Sequence, residues 1–228
     1  MRMNERGKLY IVATPIGNLD DITFRAVEVL KSVDIIACED TRVTVKLLNR
    51  YEIKKPIVSL HSYSSEKKYS SVLEQMSNGK DVGYVTDSGT PGISDPGMRL
   101  ARLAIEDGYE VVPVPGPTAV HTALAGSGIQ FNDYMFVGFL SPKKGRRRRK
   151  LEELSGIKTV FVFYESPHRL INFLKDLKEV FGDPYTCVGK ELTKIFERFY
   201  RGRLSVIIPA ILQNGVKGEY TIIVDNRN

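Results

Sequence analysis

The stretch VGYVTDSGTPGISDPG, residues 82–97, combines an apolar strand, a loop rich in glycine and proline, and a helix start. Residues 82–86 have the apolar character of a buried strand. The glycines and prolines of residues 87–92 exclude a regular element, because they favour turns and interrupt ladders. Asp95 followed by Pro96 is typical of a helix N-cap and the first helical position. The stretch therefore predicts a loop whose backbone is open to a ligand, beside the N-terminus of a helix.

Strand and helix patterns alternate on both sides of this stretch. Five apolar runs predict strands, at residues 9–14, 34–37, 57–60, 82–86 and 110–114. Four helices are expected between them, at residues 22–33, 41–51, 66–76 and 98–107. This alternation predicts an α/β fold with a parallel sheet and helices on both of its faces. Such sheets bind ligands beyond the carboxyl ends of their strands.

Polar motifs follow four of the expected strands. They are PIGN (residues 15–18), EDTR (39–42), HSY (61–63) and DSGT (87–90). Because parallel strands end at the same edge of a sheet, we expect these side chains to gather there. Residues 87–97 are then either a tight structural connection or a ligand-binding loop. They match neither the P-loop pattern nor the GxGxxG dinucleotide pattern, which leaves another adenosine-bearing ligand open.

Prolines at positions 113, 115 and 117 indicate a domain boundary, because proline forbids helix interior and interrupts a ladder. We expect one domain over residues 1–115 and a second over residues 116–228. In the second, strands are expected at 134–139, 159–164, 185–188, 204–208 and 220–224, and helices at 118–125 and 167–181. A polar segment connects residue 188 to Arg203. The second domain is therefore expected to be α/β as well, with a mixed sheet.

Composition bounds the class of protein. The 228 residues are 42% hydrophobic and 26% charged, as in an ordinary globular protein, and the net charge of +6 permits a polyanionic partner without requiring one. Cys38 and Cys187 are the only cysteines and form no CxxC pair, so neither a disulfide framework nor a metal site is expected. No apolar run approaches the length of a membrane span or a signal-peptide core. We expect a soluble cytoplasmic protein.

The motif Glu39-Asp-Thr-Arg42 allows two interpretations. In the first, Asp40 caps the helix that begins at Thr41 and Glu39 pairs with Arg42 at the surface. In the second, a carboxylate accepts a proton from a substrate while Arg42 holds an anionic group. The expected position at the ligand edge of the sheet makes the second interpretation as strong as the first.

A basic run, KKGRRRRK, occupies residues 143–150 and contains seven cations in eight residues. It is either a solvated helix start or a contact for a polyanion such as RNA, and we favour the second. A second basic cluster consists of Arg198, Arg201 and Arg203. Glu165 and Arg169, at the start of an expected helix, are by contrast spaced as an ordinary helix-end ion pair.

The chain resembles a known family in seven blocks that stand in the same order. The blocks are LYIVATPIGNLDDIT (9–23), ACEDTR (37–42), TDSGTPGISDPG (86–97), PVPGPTA (113–119), YESPHR (164–169), KELTKIFE (190–197) and KGEY (217–220). The family is ribosomal small-subunit methyltransferase I, whose members are 16S rRNA cytidine-2'-O-methyltransferases of the tetrapyrrole methylase superfamily. The blocks cover nearly the whole chain, and together they are far more specific than any one of them.

The resemblance implies two α/β domains with S-adenosylmethionine (SAM) in the cleft between them. It also implies a homodimer that methylates the ribose 2'-hydroxyl of a decoding-region cytidine in 16S rRNA or the small ribosomal subunit. The cofactor residues implied in the first domain are Pro15, Asp87, Gly89, Thr90, Ile93, Ser94 and Asp95. Those implied at and beyond the boundary are Thr118, Ala119, Tyr164, Gly218 and Glu219.

A ribose hydroxyl is a poor nucleophile, so methyl transfer requires alignment of the 2'-oxygen and a group that takes its proton. Our hypothesis assigns Asp40, or Glu39, as the base, and Arg42 and Lys190 as phosphate-positioning residues. The residues expected to hold flanking RNA are Arg42, Arg146, Arg147, Arg148 and Arg149. Two alternatives stay open: a small-molecule methylase of the corrin or porphyrin type, against which the basic run argues, and a non-catalytic RNA-binding factor.

Overall fold

The structure of the chain is a computed structural model, which describes residues 6–61, 63–92 and 97–227. The chain forms two compact units, residues 1–118 and residues 119–228. The domain boundary expected between residues 115 and 116 stays a prediction. In the described ranges no helix combines the length and apolar character needed to cross a membrane.

The first unit contains a five-stranded sheet in which every pair of neighbouring strands is parallel. Its strands are β1 (Leu9–Val12), β2 (Ile35–Cys38), β3 (Ile57–Ser59), β4 (Val82–Val85) and β5 (Val111–Val114). Its helices are α1 (Phe24–Ser32), α2 (Thr41–Arg50), α3 (Glu66–Ser77) and α4 (Gly97–Glu106). The strand order is β3-β2-β4-β1-β5. The parallel α/β sheet expected from the alternating pattern is confirmed.

Two separate apolar cores lie in this unit, as expected for a sheet covered on both faces. One core packs α3 and α4 on the sheet, through Tyr69, Met76 and Leu100 among others. The other packs α1 and α2 on the sheet, through residues such as Leu30 and Leu48. All four residues of β2 and all four of β4 are buried, which explains why these strands are continuous apolar runs in the sequence.

Strand β5 lies at an edge of the sheet and pairs only with β1. Pro113 stands in this strand opposite Ile11. Proline has no backbone N–H to donate, so within sheets it is confined mainly to edge strands. The position of Pro113 is therefore compatible with a strand, and the chain turns beyond it into the loop that contains Gly116.

The second unit contains a mixed five-stranded sheet of order β6-β7-β10-β8-β9. Its strands are β6 (Tyr134–Gly138), β7 (Val160–Glu165), β8 (Tyr185–Lys190), β9 (Arg198–Arg203) and β10 (Tyr220–Asp225). Its helices are α5 (Ala119–Ser127), α6 (Lys144–Ser155), α7 (Pro167–Phe181) and α8 (Leu204–Gln213). Strands β6 and β7 are parallel, and the other neighbouring pairs are antiparallel. The expected mixed sheet is confirmed.

Two elements of the second unit differ from the sequence-based expectation. Residues 204–208 form the first half of α8 rather than a strand, and the polar segment before Leu204 contains strand β9. The buried side chains of α8 are Leu204, Ile207, Ile208 and Ile211. Their spacing is helical, whereas the β-branched composition and Pro209 suggest a short strand. The spacing is therefore the correct signal, and the composition is misleading.

Helix α7 is bounded as its sequence predicts. Pro167 is the first helical residue, where its missing N–H costs nothing, and Gly182 ends the helix with a φ of 72°. Arg169 Nε donates to Glu165 Oε1 at 2.8 Å, which confirms the expected helix-end ion pair. The Glu165 side chain is only 1% exposed, so this pair is an internal anchor rather than a surface contact.

Candidate functional site

The loop after β4 packs against the chain that follows β1. Thr14 N donates to the Gly89 carbonyl at 2.9 Å, and Thr14 Oγ1 donates to the Thr86 carbonyl at 3.2 Å. Gly89 has a φ of +83°, a conformation that glycine adopts without steric cost. A Cβ at Gly89 would lie 3.2 Å from Ile16 Cγ2. The loop therefore brings bare backbone to the carboxyl edge of the sheet, as its composition predicts.

The loop after β5 closes on the same edge. Thr90 Oγ1 donates to the Pro117 carbonyl at 3.2 Å. A Cβ at Gly116 would lie 2.8 Å from the Cβ of Ala13, so any larger residue at position 116 requires a backbone shift. The segments after β1, β4 and β5 consequently form one packed cradle, which we call the strand-end cradle and define as residues 13–16, 86–90 and 116–117.

Acidic and basic groups lie beside the strand-end cradle. Asp87 Oδ1 accepts a hydrogen bond from Asp40 N at 3.0 Å. Asp40 in turn caps α2, because its Oδ1 accepts from Arg42 N at 2.8 Å. The Arg42 Nε donates to the same carboxylate at 3.0 Å and 3.1 Å. The expected cap by Asp40 is confirmed, but the partner of Arg42 is Asp40 and not Glu39.

Glu39 is directed toward a different neighbour. Its Oε2 accepts a hydrogen bond from Thr86 Oγ1 at 3.5 Å, at the end of β4. Its backbone carbonyl accepts from Ser59 Oγ at 3.3 Å, at the end of β3. Glu39 is therefore fixed between the ends of two parallel strands, whereas Arg42 projects outward with 87% of its side chain exposed.

The carboxylates of this cluster differ in proton affinity. The Arg42 side chain and backbone N–H groups hydrogen-bond Asp40 and lower its pKa to about 2. Burial raises the pKa of Asp87, while the N–H of Asp40 opposes that rise. A carboxylate with so low a pKa is a weak base at neutral pH. The geometry therefore argues against Asp40 as the proton acceptor and favours a capping and positioning role.

The basic run forms the start of α6, and its arginines have different environments. Arg147 is only 5% exposed, and its Nε donates to Asp176 Oδ2 at 2.8 Å on α7. Arg148 pairs with Glu179. Arg146 and Arg149 are exposed. Burial and the ion pair with Asp176 remove the Arg147 guanidinium from the surface, so its predicted contact with RNA gains no support and stays a prediction.

Comparison with known proteins assigns the chain to a family. Residues 8–207 match the model of the Tetrapyrrole (Corrin/Porphyrin) Methylases. A Thermotoga maritima protein named ribosomal RNA small subunit methyltransferase I is 43% identical over 221 residues, which are 97% of this chain and 99% of that protein. A Halalkalibacterium halodurans protein of the same name is 43% identical over 97% of this chain and 77% of its own length. The chain belongs to the ribosomal RNA small subunit methyltransferase I family.

Solved structures show the same fold at low sequence identity. A cobalt precorrin-4 methyltransferase of cobalamin biosynthesis superposes with a TM-score of 0.71 at 20% identity, covering 97% of this chain and 96% of that one. A uroporphyrin-III C-methyltransferase from Thermus thermophilus, complexed with S-adenyl homocysteine, gives a TM-score of 0.66 at 17% identity, covering 96% and 98%. The tetrapyrrole methylase fold expected from the resemblance is confirmed.

Several predicted cofactor residues of this family member lie in the first unit. Pro15, Asp87, Gly89 and Thr90 all belong to the strand-end cradle or adjoin it. Thr118 follows the cradle at the end of that unit. Ile93, Ser94 and Asp95 lie outside the described residues. The assignment of these residues to the cofactor stays a prediction.

Tyr164 is the most distinctive of the predicted cofactor residues in the second unit. Its ring meets Phe136 at a centroid distance of 5.1 Å and Phe139 at 5.5 Å, which forms an aromatic wall beside β7. Burial raises the pKa of Tyr164 to about 12, still further above physiological pH than the ordinary value of 10.0. Such a wall suits the apolar part of a ligand. Its contact with the cofactor, like that of Ala119 at the start of α5, stays a prediction.

Gly218 and Glu219 have an evident structural role in this family member. Gly218 has a φ of +116°, and a Cβ there would lie 2.6 Å from Glu191 Cγ. Glu219 N donates to Glu191 Oε1 at 2.8 Å. Lys190, the predicted phosphate-positioning residue, ends β8, and its Nζ donates to the Gly215 carbonyl at 3.0 Å. These contacts join the KELTKIFE and KGEY blocks into one corner of the second unit.

Proposed function

We propose that the protein is a SAM-dependent methyltransferase that methylates the ribose 2'-oxygen of a decoding-region cytidine in 16S rRNA. The observation that carries this proposal is the 43% identity, over nearly the whole chain, to proteins named ribosomal RNA small subunit methyltransferase I. The fold shared with a methyltransferase complexed with S-adenyl homocysteine supports SAM as the cofactor. The position of the methyl group on a particular cytidine follows from the sequence resemblance alone.

The strand-end cradle has the chemistry that SAM requires. Gly89 and Gly116 allow backbone to approach closely, and the Asp87 carboxylate is a suitable acceptor for hydroxyl or ammonium groups. When bound, SAM supplies an electrophilic methyl group on a sulfonium centre. In the second unit, Tyr164 with Phe136 and Phe139 offers an apolar surface. We propose that these residues hold the cofactor, together with the other residues implied by the resemblance.

Proton removal from the ribose hydroxyl is assigned to Glu39. Of the two carboxylates that the sequence suggests, Asp40 is engaged by Arg42 and has a pKa of about 2. Glu39 Oε2 accepts a hydrogen bond from the Thr86 hydroxyl at 3.5 Å, at the carboxyl edge of the sheet beside the strand-end cradle. Asp40 then orients Arg42, whose guanidinium is exposed and suited to a phosphate. Lys190 is a second phosphate-positioning residue in this proposal.

The experiment that tests the function incubates the protein with methyl-labelled SAM and small ribosomal subunits from a strain that lacks the modification. We expect label in 16S rRNA at the 2'-oxygen of one decoding-region cytidine, located by nuclease mapping and mass spectrometry. Subunits from a strain that carries the modification are the control and should accept no label. Label on a base carbon, or label on a tetrapyrrole but not on RNA, would contradict the proposal.

The proposed assembly and location follow from the same assignment. We propose that the protein acts as a homodimer in the cytoplasm, where small ribosomal subunits are made. Light scattering on the purified protein tests the dimer and should give twice the 25.6 kDa mass of one chain. A monomer that methylates small subunits at full rate would contradict the dimer but leave the enzymatic assignment in place.

A further inference from the structure

The connection between β8 and β9, residues 191–197, presents two apolar side chains to water. Ile195 is 95% exposed and Phe196 is 77% exposed. Between residues 186 and 205, all of which the structure describes, these are the only large apolar side chains that are exposed. We call the pair the apolar tip. Two adjacent apolar side chains that are both exposed form a small apolar surface, which is a candidate contact for a partner.

The apolar tip stands on a connection that is held in one conformation. Glu191 and Thr193 have φ values of 51° and 64°, which are unfavourable for residues other than glycine, above all for a β-branched one. Hydrogen bonds compensate: Glu191 N donates to the Glu219 carbonyl at 2.9 Å, and Thr193 N donates to Glu197 Oε2 at 2.6 Å. Lys194 Nζ bridges Glu191 and Glu219 at 3.1 Å and 2.8 Å.

Preorganisation of this kind reduces the entropy lost on binding. The strained backbone and the surrounding hydrogen bonds hold the connection that carries Ile195 and Phe196, so a partner meets a connection that is already ordered. Leu192, only 7% exposed, anchors the connection to the body of the unit. The apolar tip therefore has the properties of a binding element rather than those of an irregular, flexible turn.

Cations lie at the base of the apolar tip. Lys190 and Arg198 face each other across β8 and β9. Their hydrogen-bond partners are neutral: Lys190 donates to the Gly215 carbonyl, and Arg198 donates to the Asn214 side-chain oxygen. Lys217 lies in the segment between α8 and β10, which also contains Asn214 and Gly215. Proteins bind single-stranded nucleic acid by combining an exposed aromatic side chain with nearby positive charge.

We propose that the apolar tip stacks on an unpaired base of the RNA substrate while Lys190 and Arg198 contact the neighbouring phosphates. This inference rests on the proposed function in rRNA methylation. A protein partner fits less well, because a stable protein interface requires about 800 Å² on each side with an apolar centre. The apolar tip offers only two side chains on a narrow loop, whose carboxylates Glu191 and Glu197 are engaged in holding the loop itself while Lys190 and Arg198 stand at its base. A single splayed base, in contrast, needs one aromatic face and nearby positive charge.

The test measures binding to an unmethylated decoding-region fragment of 16S rRNA that carries 2-aminopurine at unpaired positions. Stacking on Phe196 should quench the fluorescence of one of these bases. Phe196→Ala should abolish the quenching and weaken binding about 5- to 150-fold, the range for loss of one base–aromatic stack. Phe196→Tyr should retain both signals because the planar ring is preserved, whereas Phe196→Leu should behave like Phe196→Ala.

Val206→Ala is the matched control, because Val206 is also apolar and 67% exposed but lies on α8. It should bind RNA as the wild type does, and all variants should keep the wild-type thermal shift with SAM. Wild-type quenching and affinity in Phe196→Ala would overturn the inference. A second pattern would also overturn it: Phe196→Leu binds RNA normally, and Phe196→Ala converts a dimer to a monomer. That pattern would indicate that the apolar tip mediates self-association. A wild-type protein that neither binds nor methylates RNA would overturn the proposed function and the inference together. A wild-type protein that methylates RNA, with a Phe196→Ala variant of unchanged affinity and quenching, would overturn the inference alone.

Discussion

Arg146 and Arg147 are neighbours in the sequence but lie on different sides of α6, because successive residues in a helix are rotated by about 100°. Arg147 is buried against Asp176, and Arg146 is in solvent. We expect Arg147→Ala to lower the free energy of unfolding by about 3 kcal/mol, since it leaves a buried carboxylate with only partial compensation from Arg148 at 3.7 Å. Urea denaturation measures the difference.

The matched control for that prediction is Arg146→Ala, which should change the free energy of unfolding by about 0.5 kcal/mol or less. The two variants should have the opposite order in RNA affinity, with the larger loss in Arg146→Ala. Equal losses of stability in both variants would mean that the contact between Arg147 and Asp176 does not hold α6 to α7 in solution.

The assignment of the proton acceptor also belongs to single residues. Glu39→Gln should lower the single-turnover rate of methyl transfer by about 10²- to 10⁴-fold, the usual contribution of a general base. Asp40→Asn should have a much smaller effect on that rate and should raise the KM for RNA, because Arg42 loses its orienting carboxylate. The rates are measured at saturating SAM. If Asp40→Asn abolishes transfer and Glu39→Gln does not, the two roles are reversed.

Asp40 should also contribute to the pH dependence of stability. Its pKa is lowered to about 2 in the folded protein, first by the Arg42 side chain, against an ordinary value of 3.8. Its contribution is therefore complete above the unfolded value and disappears as the pH falls toward the folded value. Urea midpoints of the wild type and Asp40→Asn should converge between about pH 4 and pH 2. A constant difference across this window would show that the contact with Arg42 is absent in solution.

At the scale of elements, the exposed face of α6 and its N-cap residue should govern the salt dependence of RNA binding. Four exposed cations of this segment are Lys143, Lys144, Arg146 and Arg149, whereas the exposed Lys150 is paired with Glu153. Replacing all four with glutamine should reduce the slope of log affinity against log salt by up to about 3, because each neutralised phosphate of a single strand adds about 0.7 to that slope. Titrations at several salt concentrations measure the slope.

Arg148→Gln is the control for this series, because Glu179 already holds the Arg148 guanidinium. It should leave the salt slope nearly unchanged. An unaltered slope in the fourfold variant would remove α6 from the RNA-binding surface and would leave Arg42 and the apolar tip with its cations as the candidates for that surface.

A helix or strand was predictable from the sequence where the spacing of its apolar residues and the glycine or proline at its ends indicate the same element. Strand β4 and helix α7 are examples, since apolar runs or helical spacing end at glycine or proline. Helix α8 was not, because β-branched residues and Pro209 suggest a strand while the spacing of its buried side chains is helical. Within the site, the cap by Asp40 is local and predictable. The burial of Arg147 depends on Asp176, which is distant in sequence, so no local pattern reveals it.

For the whole molecule, the first measurable consequence is stabilisation by the cofactor. SAM at about 100 times its Kd should raise the free energy of unfolding by about 2.7 kcal/mol, because only the folded state binds it. Differential scanning fluorimetry should detect the shift with SAM and with its demethylated product. The absence of a shift with both ligands would favour the non-catalytic RNA-binding factor.

Two glycine variants test whether the cofactor that causes this shift binds at the strand-end cradle. Gly89→Ala strains a residue with a φ of +83° and places a Cβ 3.2 Å from Ile16, so it should reduce the shift produced by SAM. Gly145→Ala adds a Cβ with nothing within 4 Å, so it should leave the shift unchanged. Equal shifts in both variants would place the cofactor away from the strand-end cradle.

The edge strands of the parallel sheet affect the tendency of the protein to self-associate. Strand β3 has only three residues, and β5 carries Pro113, which has no N–H to offer to an incoming strand. Long, regular edges invite strand addition from other chains and so promote aggregation. Both edge strands of this sheet, β3 and β5, are therefore poor templates for strand addition. Edge-to-edge addition between the parallel sheets of two copies of the chain is therefore disfavoured.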